Sequence, residues 1–156
     1  MTTSASHANG VHFGRQDIQV VGLGVGAAIA LVGVLGFIPG ITTQYSELRF
    51  LGPDSHAMLF GVFQVSVLLN VLQLAIGVAG WSMSRTAHGA RNYLMGFGAL
   101  YVLLSIYGLS VGVDSAANFL SLNTAVNWAH MVLGILMMAA GWMFAQYYTD
   151  DKKARK

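Results

Sequence analysis

The sequence predicts an all-α polytopic membrane protein, four transmembrane helices in an up-down bundle, on three observations. Of its 156 residues 55% are hydrophobic and only 9% charged, against about 25% charged in a typical soluble domain, and the mean hydropathy is +0.61. Four stretches, 18–46, 55–84, 92–113 and 115–149, contain no Asp, Glu, Lys or Arg. Each is long enough for a span, which needs roughly 20 apolar residues to cross about 30 Å of hydrocarbon. Long apolar runs, rather than short alternating segments, favour helices over a barrel, because a helix satisfies its own backbone in lipid.

Within those runs the expected spans are 18–41, 57–81, 93–111 and 128–147, forming one domain over 18–148. The first apolar run exceeds the 7–15 residues of a signal-peptide core and is read as a retained helix. Pro39 falls near the end of that span, where few intrahelical bonds remain to be lost. Trp81, Tyr93, Trp128, Tyr147 and Tyr148 lie near span boundaries, where amphipathic rings prefer the headgroup layer. Residues 1–17, rich in Ser, Thr, Ala and Gly at their start, read as a mobile tail, and 149–156 as a short basic one. No internal repeat stands out.

Charge placement sets the expected orientation. Arg15, Arg85, Arg91, Lys152, Lys153, Arg155 and Lys156 fall on one side of such a bundle, and only Arg49 on the other. Short basic loops are retained in the cytoplasm, so both termini and the 82–92 loop are expected there, in a bacterial inner membrane. The basic balance fits anionic lipid rather than nucleic acid. Cysteine is absent, which excludes disulfides and thiolate metal sites.

The polar residues inside the spans carry the functional question. Ser66, Asn70, Gln73, Gly77 and Gly80 are spaced four, three, four and three apart, on one face of the second span. Asn127, His130, Gly134, Met137 and Gly141 form a matching stripe on the fourth. Small residues allow close backbone approach and amides or imidazoles can bond across a seam, so the two stripes are expected to face each other. Asn70 then lies near mid-span while His130 sits close to the outer end of its own. Gly22 and Gly26, Gly36 and Gly40, and Gly108 and Gly112 are each four apart. With spans two and four paired, the Gly22/Gly26 and Gly108/Gly112 stripes would remain free for a neighbouring protein. "VGLGVGA" at 21–27 lies within a span, outside any strand-turn-helix setting for a dinucleotide. His7, His12 and His88 lie in a tail or loop; His56 and His130 form the nearest approach to a haem-ligating pair but are poorly matched in depth, and no metal or cofactor is expected.

The stretch from Gly61 to Gly141, with "GVFQVSVLLNVLQLAIGVAG" and "YGLSVGVDSAANFLSLNTAVNWAHMVLG", resembles an uncharacterised family of bacterial, mainly actinobacterial, four-span integral membrane proteins catalogued as a domain of unknown function. The family pattern has a His–Asn pair and a further His in the second span, and an Asn-Thr-Ala-Asp-Asn-Trp-Leu-His run opening the fourth. Here Asn70, Asn123, Asn127, Trp128 and His130 match, whereas Leu69 and Gln73 stand where the family has His, and Val126 replaces the acid. The resemblance implies a polar cluster that has become a hydrogen-bonding one in this chain.

Three functions follow as expectations. A non-enzymatic accessory or structural subunit, docking against other integral membrane proteins or itself, accounts for the small-residue stripes. A small-molecule, lipid or pigment binder would use His130 and Asn70. A small transporter would need a coupling group that four spans without a mid-membrane ionisable residue do not supply. Asp114, Asn118, Asn123 and His130 show no nucleophile–base spacing.

Overall fold

The computed structural model describes the backbone of residues 15–154 and the side chains of residues 17–143. The first 14 residues of the expected N-terminal tail and Arg155 and Lys156 of the C-terminal one lie outside the described residues. Four helices make up most of the chain: α1 (Arg15–Leu35), α2 (Val67–Met83), α3 (Ala87–Ser110) and α4 (Thr124–Ala154). Three contain windows long and apolar enough to cross a membrane, Asp17–Leu35, Ala87–Ser110 and Thr124–Met143, and α2 is a shorter apolar helix of 17 residues. At about 1.5 Å per residue α2 is roughly 25 Å long. The outward surfaces carry Val20, Leu31, Val71, Val78, Leu103, Val132 and Leu136, while Ser66, Asn70, Gln73, Ser105, Asn127 and His130 are buried. Apolar outside and polar within is the arrangement of a membrane-embedded protein.

The all-α expectation needs one correction. Residues 57–66, expected as the start of the second span, form instead most of a three-stranded antiparallel sheet, β1 (Thr42–Thr43), β2 (Met58–Leu59) and β3 (Phe63–Gln64), paired in the order β1-β2-β3. Phe60 and Gly61 turn the hairpin in left-handed conformations, with φ of 53° and 70°. An extended backbone among apolar helices must have its polar groups met inside the protein. Ser55 does part of this, donating to the Val65 carbonyl at 2.6 Å and accepting from the Arg49 amide at 3.1 Å. Gln64 donates to the Ser55 carbonyl at 2.7 Å. The carbonyls of Arg49 and Phe50 then accept from the first two amides of α2, Val67 and Leu68, at 3.0 and 2.9 Å.

Helix ends follow local chemistry. α1 stops at Leu35, four residues before Pro39, and Thr42 Oγ1 donates to the freed Leu35 carbonyl. Ser66 caps α2 by accepting from the Leu69 amide and also donates to the Leu120 carbonyl, both at 3.2 Å. Asn123 does the same for α4, accepting from Val126 at 3.0 Å while its amide reaches the Val62 carbonyl at 2.9 Å. Ser66 and Asn123 therefore stitch the sheet cap to the 111–123 loop as well as starting their helices. Asn118 closes that loop internally, bonding Val113 and Leu122. At the opposite end, Gln19 donates to the carbonyls of Ser84 and Arg85 in the short turn between α2 and α3, and Arg85 lies over the Trp81 ring at 4.4 Å. α4 runs on to Ala154, so the backbone of residues 149–154 is helical.

The helices pack as two antiparallel hairpins, α1 with α2 and α3 with α4; α3 also runs against α1, whereas α1 and α4 barely meet. This overturns the expected seam between the second and fourth helices. The α2 stripe lies on α1 and the α4 stripe on α3. A Cβ on Gly26 would come 3.0 Å from the Gly77 carbonyl, and one on Gly80 2.9 Å from Gly26 Cα. A Cβ on Gly134 would come 2.6 Å from the Gly98 carbonyl. Asn70 packs on Gly36 and Asn127 on Gly108, each amide occupying the space that a glycine leaves. Gly22 faces Ser84, and Gly141 faces Met95. The stripes of Gly22, Gly26 and Gly108 are thus consumed inside the chain rather than left free. Gly112, beyond the end of α3, is exposed and meets only Ser115, at 4.0 Å, and Gly40 lies in open space at φ 93°.

The two hairpins are a repeat. Ser66, Asn70, Gln73 and Gly77 correspond to Asn123, Asn127, His130 and Gly134, each 57 positions on, and Gly26 and Gly36 correspond to Gly98 and Gly108, each 72 on. The two offsets differ because the cap lengthens the first hairpin, which is why no single period shows in the sequence.

Candidate ligand-binding cavity

Where α1 and α4 draw apart, the bundle holds a cavity of about 360 Å³, partly open and roofed by the sheet. Val25, Ile29 and Val32 of α1 form one wall, Ala129 and Leu133 of α4 another, and Leu59, Phe60, Phe63 and Val65 the roof. Four polar side chains reach it: Gln64, Gln73, Tyr101 and His130. No Asp, Glu, Lys or Arg lines it.

Gln73 and His130 occupy equivalent places in the repeat. Each lies six residues into its helix, about 9 Å along the axis, from starts that the Ser66–Leu120 and Asn123–Val62 bonds tie to the same cap, so they enter the cavity at a similar level. A second span beginning at 57 had put the polar residues of that helix and His130 at different depths; the sheet, by taking up 57–66, brings them level. Gln73 is 8% exposed and His130 5%. Gln73 Oε1 and His130 Nδ1 have no hydrogen-bond partner among the described residues. Leaving such groups unpaired within a protein costs roughly 1–3 kcal/mol each. The His130 ring tilts against Tyr101, centroids 4.8 Å apart, whereas Gln64 is already engaged by Ser55.

The other expected site residues go elsewhere. Ser66 is a helix cap, and Asn70 and Asn127 are enclosed against α1 and α3, outside the cavity lining. Asn70 Nδ2 and Oδ1 and Asn127 Oδ1 are unpartnered there. His56 is exposed and does not line the cavity. Among the described residues no three His, Cys, Asp or Glu side chains gather as a metal site would require. Gln64 and Tyr101 were not foreseen: one reads in sequence as part of a helix, and the other as an aromatic among apolar neighbours. The arrangement can accept an uncharged molecule and hydrogen-bond it at one level.

No curated protein and no solved structure matches the chain. A family model does match, over residues 19–143, which takes in all the cavity-lining residues and both hairpins. The chain therefore belongs to DUF4383, a family described as a domain of unknown function.

Proposed function

We propose that this protein is a non-enzymatic, membrane-embedded binding protein for a small, largely apolar molecule, held between α1 and α4 beneath the sheet. The observation that carries this reading is the pair of side chains with unpartnered atoms, Gln73 and His130, in a mainly apolar cavity that is partly open between α1 and α4. Apolar pockets with a few convergent polar groups are the usual form of small-molecule sites. The reading sets the four helices across a bacterial inner membrane with both termini cytoplasmic, supported by Arg85 and Arg91 at the α2–α3 turn end and by the scarcity of cations at the capped end, where Arg49 stands alone. Purified wild-type protein in mild detergent is expected to retain one equivalent of a small molecule by intact-complex mass spectrometry. Ala129→Trp, at an outward position on the cavity wall, should displace it. Identical small-molecule content in the two proteins would refute the proposal.

Docking against another membrane protein is the second reading. It retains Gly24 and Gly96, which are exposed with nothing within 4 Å. Native-gel migration of wild type and Gly24→Leu in unextracted membrane fractions tests it; equal migration as a monomer would remove it.

A further inference from the structure

Resting on the binding reading, we infer that the occupant is an uncharged, hydroxyl-bearing lipid amphiphile, its hydroxyl seated between Gln73 and His130 and its tail leaving through the α1–α4 opening. Charge is excluded by the wall. A carboxylate or phosphate taken from water into this cavity would meet no Lys or Arg and no other formal cation, and a buried charge without a partner is strongly disfavoured.

Among uncharged headgroups the hydrogen-bonding complement narrows the choice. The Gln73 amide offers an acceptor oxygen and a donor nitrogen, and a neutral imidazole such as His130 offers one of each. None of these atoms is engaged by another described residue. A ketone or ester only accepts and would leave the Gln73 and His130 acceptors empty. A hydroxyl donates through its hydrogen and accepts through its lone pairs, so one group can serve both side chains. Tyr101, whose ring abuts His130, also lines the cavity.

Size and access fit a single chain or ring. At about 30 Å³ per water the cavity holds the equivalent of roughly a dozen waters, too little for a two-chain lipid. Because α1 and α4 hardly touch along this flank, the remainder of the molecule can lie outside, against Ala28 and Val32 of α1 and Ala129 of α4.

The test uses the full chain in lauryldimethylamine oxide micelles, a detergent without hydroxyls, with binding read by native mass spectrometry. The probes are 1-oleoylglycerol, dodecylhydroquinone, methyl oleate, oleate and 1-oleoyl lysophosphatidate. At least one hydroxyl probe should bind one-to-one and at least tenfold more tightly than the ester and the two anions, and the preferred one tells an aliphatic from a phenolic source. Gln73→Met and His130→Phe, each checked for helicity and monodispersity, should each weaken that probe at least tenfold, and Ala129→Trp should abolish its binding. Methyl oleate binding as tightly as 1-oleoylglycerol, or either anion binding as tightly and being displaced by Ala129→Trp, would overturn the hydroxyl assignment while leaving the cavity as a binding site. Binding of every probe unchanged by Ala129→Trp would instead overturn the binding reading itself, and this inference with it.

Discussion

Replacing Gly134 with alanine should weaken the fold, and replacing Gly24 should not, although both are helical glycines in apolar surroundings. A Cβ at Gly134 would stand 2.6 Å from the Gly98 carbonyl, 2.9 Å from Val102 Cγ2 and 3.0 Å from the Val102 amide. Two of these three atoms are backbone, so relief requires α3 and α4 to part by about 0.8 Å to reach ordinary contact at 3.4 Å. Separation on that scale forfeits a quarter to a half of each dispersion contact along the seam, and overpacking of this kind costs about 1–3 kcal/mol. Alanine has an intrinsic helical advantage of up to about 1 kcal/mol over glycine, which offsets part of that loss. At Gly24, with nothing within 4 Å, only the advantage remains. Denaturation by sodium dodecyl sulfate in mixed micelles, followed by circular dichroism, measures both. Gly134→Ala matching wild type, or Gly24→Ala losing as much as Gly134→Ala, would refute the reasoning that the glycines act through hairpin contact.

Gly22→Cys with Ser84→Cys should form a disulfide, since their Cβ atoms would stand 3.3 Å apart, close to the usual 3.5–4.5 Å; Ser66→Cys with Gly134→Cys should not, and strong cross-linking of that pair on non-reducing gels would restore the α2–α4 seam. Ser66→Ala removes a helix cap and the bond to Leu120 together, and a loss of about 1–2 kcal/mol is expected in the same unfolding assay; an unchanged midpoint would contradict the capping role. Gln73→Met and His130→Phe should leave the ligand-free protein as stable as wild type or more so, because each removes a buried polar atom without a partner. A drop of more than about 2 kcal/mol in either would mean that the side chain is paired within the protein after all.

Helix content was written in charge-free runs, and the tight faces in glycine spacing. The identity of the facing helix was not: a stripe such as Gly77/Gly80 or Gly134/Gly141 states how closely something approaches, with no information on which helix does so. The partners are the helices joined by the two longer connections, 36–66 and 111–123, while the short turn at 84–86 links the two hairpins. The sheet was illegible for a different reason. Residues 57–66 are as apolar as a helix, and the signals against one were Gly61 and the amide of Gln64, which meets the Ser55 carbonyl. Misplacing the start of α2 by ten residues then hid the cavity, since Gln73 and His130 become level only when the helix begins at Val67. The repeat was hidden by the same segment.

The unequal connections have a consequence for symmetry. Two equivalent hairpins side by side would present two equivalent flanks, α1 beside α4 and α2 beside α3, and a symmetric pair would offer two identical berths. In this chain the second flank is pinned by the turn at 84–86, while the first is spanned only from above, by a connection long enough to fold into a sheet of its own. Loop length, with the helices unaltered, thus makes the two flanks of a repeated scaffold unlike, and the α1–α4 flank carries the cavity beneath the sheet.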